Sequence, residues 1–421
     1  MEREPRFFNQ AYAADCCRGD PAFCTCACPF QLDVRDFITK ILRGGFDAAY
    51  RKFRDAVIFP QIVTALCPSP CREVCPRGAV DAAISLRELE QAAIRYAHSL
   101  DPTNFNLSAK NDRIAVVGAG PSGLACALRL AAKKYQVTVF EKSSRLGGSL
   151  WQLLDPEVFL PDIERQGKYA AYELLLQREI IGPEQLEGFD GVYVATGKDG
   201  HPLGLDAGFD QDLLSTGKPG WFWGGALVGA DPMAAIAQGG RAALHLEKYL
   251  KIKAMTFAPE LKPQTRLQLE VTGLPLRPAV PAGAEGYTKA AAQAEAARCL
   301  RCDCSACYDY CDFMQYYRKY PRQLADAVDY GLTDSILETQ TNNRMVNSCT
   351  GCGVCQAVCP LKVDSGGELQ AAREQMLDKG LVPPAYHDFW LRDLEHATAP
   401  EIALTLAAPS GKHKLLLFPG C

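Results

Sequence analysis

The stretch from Ile114 to Glu141, IAVVGAGPSGLACALRLAAKKYQVTVFE, constrains this chain more than any other. An apolar run, Ile114–Val117, reads as a strand and leads into Gly118-Ala119-Gly120-Pro121-Ser122-Gly123. A helical pattern follows in Leu124, Leu128 and Leu130, and a second expected strand, Val137–Phe140, ends on Glu141. Together these make a βαβ unit in which each residue type has a mechanical task. Gly118 allows the tight turn, Gly120 lets backbone N–H groups approach a pyrophosphate, and Gly123 lets helix and strand pack closely. The helix N-terminus then points at the phosphates. Glu141 falls where a carboxylate accepts from a ribose 2′-OH. A bare G-x-G-x-x-G is weak evidence. With both strands, the helix and the terminal acid in place, dinucleotide binding outweighs a chance glycine loop.

Cysteine clusters on either side decide what that loop is for. The chain holds 19 cysteines in 421 residues, and none lies between Ala127 and Arg298. Seventeen fall into tight groups, which random core cysteines would not do. The 45 basic and 49 acidic residues leave a net charge of −4, which argues against a general nucleic-acid or anionic-membrane binder. No apolar run approaches the ~20 residues of a membrane span. The N-terminal MEREPRFF lacks the apolar core of a secretory signal, so a cytoplasmic chain is expected. Clustered thiols in a reducing compartment point to metal or redox chemistry rather than disulfides.

Residues 1–105 read as a helical iron–sulfur domain. Cys16, Cys17, Cys24, Cys26 and Cys28 crowd together, and Cys67, Cys71 and Cys75 form a second group; Cys28 and Cys75 each precede a proline. Val34, Phe37, Ile38, Ile41 and Leu42 make one apolar helical face that Gly44-Gly45 stops. Phe46, Tyr50, Phe53 and Val57 make a second, and a last helix is expected over Asp81–Ser99. Such a scaffold, holding two cysteine-rich loops together, suits iron–sulfur ligation, and eight cysteines suffice for two [4Fe–4S] clusters. Structural zinc prefers clean C-x₂₋₄-C pairs, which the crowding at 24, 26 and 28 does not form. Iron–sulfur therefore outweighs zinc, and zinc outweighs disulfides.

The C-x₃-C-P at 24–29, the C-x₃-C-x₃-C-P at 67–76 and the helix ISLRELEQ resemble the N-terminal di-cluster domain of the glutamate synthase small subunit and dihydropyrimidine dehydrogenase. The resemblance implies that Cys24, Cys28, Cys67, Cys71 and Cys75 bind iron, with a ligand from the last helix at Glu90 or Gln91. Where the family shows C-x₂-C, this chain has Cys16-Cys17 and a long gap. Which of Cys16, Cys17 and Cys26 bind is left open. Asp101–Asn104 reads as a linker.

Residues 111–253 form the next expected domain. After Glu141 and Lys142 the chain reaches Gly147-Gly148. The run from Ile114 to Gly148 resembles the FAD-binding half of the pyridine-nucleotide disulfide oxidoreductases. That resemblance implies a Rossmann-like α/β fold, Glu141 on the adenosine ribose and Gly147-Gly148 near the cofactor. Phe189–Val194 leads to the family's Ala195-Thr196-Gly197 turn, and Met233–Ala243 looks like the closing helix facing the flavin. FAD is therefore favoured over NAD. Two departures stand out. Only residues 198–232 separate the turn from the closing helix, close to one βαβ unit and too short for a nicotinamide domain. The family's Gly-Asp pair reads Gly225-Ala226 here, with Asp231 out of register. A flavoprotein that does not itself take hydride from NAD(P)H is expected. Cys126, on the first helix, reads as a small core residue without function.

Residues 254–288 read as a linker; residues 258–288 carry five prolines and no clear period. Residues 289–400 read as a helical ferredoxin-like domain with two [4Fe–4S] clusters. Its most specific motif is Cys349-x₂-Cys352-x₂-Cys355-x₃-Cys359-Pro, the bacterial ferredoxin run, whose fourth cysteine ligates the other cluster. Gly351 and Gly353 give its loop φ freedom. The group Cys299, Cys302, Cys304, Cys307 and Cys311 is an altered copy. Crossed ligation pairs Cys349, Cys352 and Cys355 with Cys311. The other cluster would take Cys302, Cys304, Cys307 and Cys359, with Cys299 competing for one place.

Residues 401–421 end in KHKLLLFPGC, which resembles the opening of the cysteine-rich domain of heterodisulfide reductase catalytic subunits. A truncated domain or a simple C-terminal thiol at Cys421 are both open. The expected whole is a multidomain electron-transfer subunit relaying electrons among up to four [4Fe–4S] clusters and one FAD. It has no evident substrate base, so its partners are other redox subunits of ferredoxin, hydrogenase, dehydrogenase or heterodisulfide-reductase type, in an anaerobic or electron-bifurcating complex. The rivals are a self-contained NAD(P)H oxidoreductase and a zinc-stabilised assembly scaffold.

Overall fold

The computed structural model describes residues 10–204, 208–259, 263–331, 343–381 and 388–402. They fold as two compact units, one of residues 19–304 and one joining the start of the chain, to residue 18, with residues from 305 onward. Helix α1 (Gln10–Asp15) belongs to the second.

The first unit opens with α2 (Phe23–Ala27), α3 (Val34–Leu42), α4 (Phe46–Val57), α5 (Pro60–Leu66) and α6 (Leu86–Tyr96). The apolar faces expected from spacing meet here: Phe37, Ile38 and Ile41 of α3 and Tyr50 and Phe53 of α4 are buried in one core. Gly44, at φ +73°, takes the left-handed turn that ends α3. The last helix begins at Leu86, not at Asp81. Asp81 is otherwise engaged, accepting hydrogen bonds from Arg77, Arg298 and the backbone N–H of Ala82 and Arg277.

The glycine loop sits in a five-stranded parallel sheet. β1 (Arg113–Val117) lies between β2 (Gln136–Phe140) and β4 (Gly191–Val194), with β3 (Glu173–Leu175) and β5 (Trp221–Trp223) at the edges. β4 throughout and β1 after Arg113 are buried on both faces, as parallel sheets require. Helix α7 (Pro121–Ala132) follows the loop, and after α8 (Leu150–Leu153) and α9 (Pro156–Gly167) the long α10 (Pro232–Ile252) packs along α7. A Cβ at Gly239 of α10 would stand 2.1 Å from the Ser122 carbonyl oxygen, so only glycine allows this approach. Between residues 198 and 232 the described residues hold β5, isolated bridges and a short turn at Gly225–Val228, with no second βαβ unit.

The segment expected as a linker is instead a strap laid on the helical part of its own unit. Arg266 pairs with Asp20, Arg77 donates to the Pro275 carbonyl, and Tyr287 is buried. It runs into α11 (Lys289–Arg298), capped by the Thr288 hydroxyl on the Ala291 N–H.

The second unit gathers α12 (Ala306–Tyr310), α13 (Asp312–Tyr317), α14 (Pro321–Gly331), α15 (Val354–Val358), α16 (Ser365–Asp378) and α17 (Asp388–Thr398). Met314, Leu324, Val328, Leu369 and Met376 form its core. Arg322 of α14 donates to the carbonyls of Ala13 and Cys16, tying the N-terminal segment to this unit. The PGC ending with Cys421 lies outside the described residues. Among those residues no helix is long and apolar enough to cross a membrane.

Candidate iron–sulfur and nucleotide sites

The first unit gathers its thiols into two sets. Cys28 ends α2, Cys67 ends α5, Cys71 sits in the next turn, and Glu90 projects from α6. The Glu90 charge acts on all three thiols, raising each. Burial pushes Cys28 up to about 11, with backbone N–H groups of Leu32 and Phe30 pulling the other way. Burial first, then Glu90, Cys28 and Cys67, pushes Cys71 up to about 12. Burial likewise pushes Glu90 up to about 8. The N–H of Ser69 lies 3.4 Å from the Cys67 sulfur. N–H donors aimed at sulfur are what a ligating thiolate needs and a core thiol does not. Cys126 is the contrast: fully buried, it has only apolar burial raising its pKa.

The second set lines one cavity: Cys24, Cys75, Cys299 and Cys302, together with Cys71 of the first set. Cys302, expected with Cys304, Cys307 and Cys359, stands here instead because α11 is anchored to this unit. Cys16 and Cys17, expected in the N-terminal domain, belong to the other unit. Cys16 is buried there among Cys307, Met314 and Cys355, with Cys359 packed against the same core. Cys26 lies on α2, and Cys304 ends the first unit.

In the second unit Cys311, Cys349, Cys352 and Cys355 line one cavity. Gly351 and Gly353 both take positive φ, +67° and +73°. This loop turns the Val354 N–H toward Cys352, which with the Thr350 side chain lowers that thiol's pKa. Among the described residues no three His, Cys, Asp or Glu side chains converge as on a single metal ion. The thiols line cavity walls, where ligands of a polynuclear cluster would stand.

The nucleotide loop is built as its glycines demand. Gly118 has φ +106°, and a Cβ there would be 2.4 Å from the Ala195 carbonyl oxygen; at Gly123 it would be 1.9 Å from that of Gly118. At Gly120 it would meet no protein atom within 4 Å. Gly118 and Gly123 therefore serve packing, and Gly120 keeps a face open. Gly148 crowds the Gly120 Cα, and the Gly147 N–H donates to the Ala119 carbonyl, so the Gly147-Gly148 turn rests on the loop. Glu141 accepts from the Ala119 N–H and from the N–H and hydroxyl of Ser143, each at 2.8 Å. That leaves one of about four lone-pair positions for a ribose.

A cavity beside it is lined by Gly118, Glu141, Lys142, Arg178, Thr196 and His201. Arg178 and His201 carried no sequence signal; they come from irregular segments after β3 and β4. Gly197, at φ +93°, turns the chain after Ala195. Three expected cofactor residues also make contacts within the protein. Pro121 opens α7 and is buried, and the Ser122 hydroxyl faces the Tyr193 hydroxyl at 2.8 Å. Gly225 lies against Ser122, its N–H on Gln238. Asp231 caps α10 through the Met233 and Ala234 N–H groups.

Comparison with known proteins places similarity on the same segments. Residues 6–101 match the family model described as dihydropyrimidine dehydrogenase domain II, 4Fe-4S cluster. Residues 288–364 match a 4Fe-4S dicluster domain, and residues 116–152 an NAD(P)-binding Rossmann-like domain. The chain is thus multidomain, with iron–sulfur domains flanking a Rossmann-like one. It is 30% identical over 196 residues to the NADPH-Fe(3+) oxidoreductase subunit beta of Geobacter sulfurreducens, covering 44% of this chain and 29% of that one. Against the glutamate synthase [NADPH] small chain of Bacillus subtilis it is 27% identical over 204 residues, covering 46% and 40%. Against the NAD-dependent dihydropyrimidine dehydrogenase subunit PreT of Escherichia coli it is 30% identical over 141 residues, covering 33% and 34%. The chain therefore spans between 29% and 40% of the length of these relatives.

Proposed function

We propose that the chain is an electron-transfer subunit of an oxidoreductase complex, passing electrons between FAD on the glycine loop and up to four [4Fe–4S] clusters. One observation carries this reading. α10, whose Gly239 rests on Ser122 of the glycine loop, also packs against α5, the helix that ends on Cys67. A metal-type thiol set and a nucleotide loop thus share one supporting helix. When bound, the flavin would handle electrons in pairs or singly and the clusters singly, joining a two-electron partner to one-electron carriers.

The chain's own residues bind and tune. Gly120 leaves backbone N–H groups open to a pyrophosphate at the α7 N-terminus, and Glu141 keeps an acceptor for a ribose hydroxyl. Cys28, Cys67, Cys71 and Glu90 would hold the inner cluster; Cys311, Cys349, Cys352 and Cys355 would hold one in the second unit. Cys16, Cys307 and Cys359 supply thiols for another there. Burial and N–H···S contacts set how readily each site takes an electron.

The partners would be other redox subunits, of ferredoxin, hydrogenase, dehydrogenase or heterodisulfide-reductase type. Anaerobic purification with native partners, with iron, sulfide, zinc and flavin quantified, tests the reading. A brown protein with FAD supports it; a colourless zinc protein overturns it. The names of the relatives favour a second reading, direct reduction by NAD(P)H. Rapid mixing of the isolated chain with NADH and NADPH separates the two, since prompt bleaching would sink the relay.

A further inference from the structure

We propose that the outer iron–sulfur site of the first unit is completed from the far end of that unit: Cys24 and Cys75 hold one side of the cluster and the strap-borne pair Cys299 and Cys302 the other. The inference rests on the iron–sulfur reading above. Neither matched iron–sulfur segment contains this set, since Cys24 and Cys75 fall in residues 6–101 and the pair in residues 288–364. The domain's own N-terminal candidates, Cys16 and Cys17, are built into the other unit.

The geometry supplies what is missing. Cys299 caps the C-terminus of α11, and Arg301 sits in the left-handed region at φ +49°. That turn brings the Arg301 N–H to 3.4 Å from the Cys299 sulfur and swings Cys302 into the same cavity. A non-glycine residue at positive φ costs energy and persists only where the surrounding structure holds it there. The helix behind it is fixed by buried charge. Glu295 is fully buried and accepts from Arg298, the Ser85 N–H and the Val280 N–H. Arg298 reaches on to Asp81 and the Ala82 carbonyl. Gln293 donates to the Leu42 carbonyl. Such a network fixes where the C-x₂-C stands relative to Cys24 and Cys75. Without a metal centre, four thiols facing one cavity would gain little over ordinary apolar side chains. With one, they close a chain loop of more than two hundred residues between Cys75 and Cys299.

The test uses the full chain, purified or reconstituted anaerobically. Cys299→Ala/Cys302→Ala should lose about four irons per chain and one electron-paramagnetic-resonance signal, keeping the flavin and remaining clusters. Unchanged iron and spectra would overturn the proposal, as would zinc in this site. On the wild-type chain, alkylation mapped by mass spectrometry should find Cys24, Cys75, Cys299 and Cys302 protected when loaded and labelled together after chelation. Cys299 and Cys302 labelled in the loaded protein would also overturn it. Proteolysis within residues 263–298 should likewise slow on cluster loading; equal rates count against the strap. A chain that takes up no iron at all would instead refute the iron–sulfur reading itself.

Discussion

The Arg298 guanidinium lies 2.9 Å from the Asp81 carboxylate, joining two residues 217 positions apart. Arg298 also holds Glu295, and both are almost wholly buried. Arg298→Met would leave the Glu295 charge without its partner, a loss of roughly 3–5 kcal/mol for a broken buried pair. Denaturant unfolding should show that loss, and residues 263–298 should become the first site of proteolysis. Arg298→Lys should recover only part, because one ammonium cannot span both carboxylates.

The last two glycines of the loop should separate fold from binding. Gly123→Ala puts a Cβ 1.9 Å from the Gly118 carbonyl oxygen, which only backbone displacement relieves, so the variant should be insoluble or unfolded. Gly120 has φ −79°, ordinary for alanine, and no protein atom near the new Cβ. Gly120→Ala should therefore melt within about 2 °C of wild type yet retain much less flavin through gel filtration. Equal flavin retention would remove Gly120 from the phosphate site.

Asp162 gives a pH dependence. Its carboxylate accepts from the Gln61 and Ile62 N–H groups at the start of α5, but burial outweighs these bonds and raises its pKa to about 6. A carboxyl raised on folding favours the native state below its unfolded pKa of about 3.9. That contribution is lost as pH rises through 6. The shift corresponds to on the order of 3 kcal/mol. Asp162→Asn keeps an acceptor for the N–H groups and removes the titration. Its unfolding midpoint relative to wild type should therefore rise between pH 5 and 7.5, and a flat difference would exclude this role.

The glycine loop and the α3 and α4 faces were legible in the sequence because short-range spacing fixes them, whereas Glu90 was singled out, with Gln91 as its alternative, only through a family resemblance. The homes of Cys16 and Cys302 were not legible. Spacing shows that thiols are clustered, but not which unit their backbone is anchored to. Asp81 was misread as the start of a helix because the residue that claims it, Arg298, is remote in sequence. Ser122 looked like a cofactor residue because its motif faces the phosphates, whereas its hydroxyl is taken by Tyr193. Arg178 and His201 reach the nucleotide cavity from irregular backbone, where no periodicity marks them.

Ligation in the second unit should be crossed. Cys349, Cys352 and Cys355 share their cavity with Cys311, whereas Cys359, which ends α15, is not among the residues that line it. The loop between Cys352 and Cys355 is short, so its thiolates reach one face of a cluster, and the fourth ligand must come from outside it. Cys311→Ala should therefore remove the cluster of the Cys349–Cys355 loop. Cys359→Ala should spare that cluster and remove its neighbour. Alanine is the right replacement, because a serine oxygen can stand in as a weak ligand. Low-temperature electron paramagnetic resonance on each reduced variant, with iron counted per chain, reads the two losses separately. If Cys359→Ala instead extinguishes the signal of its own loop, the crossing is wrong and Cys311 belongs to the neighbouring cluster.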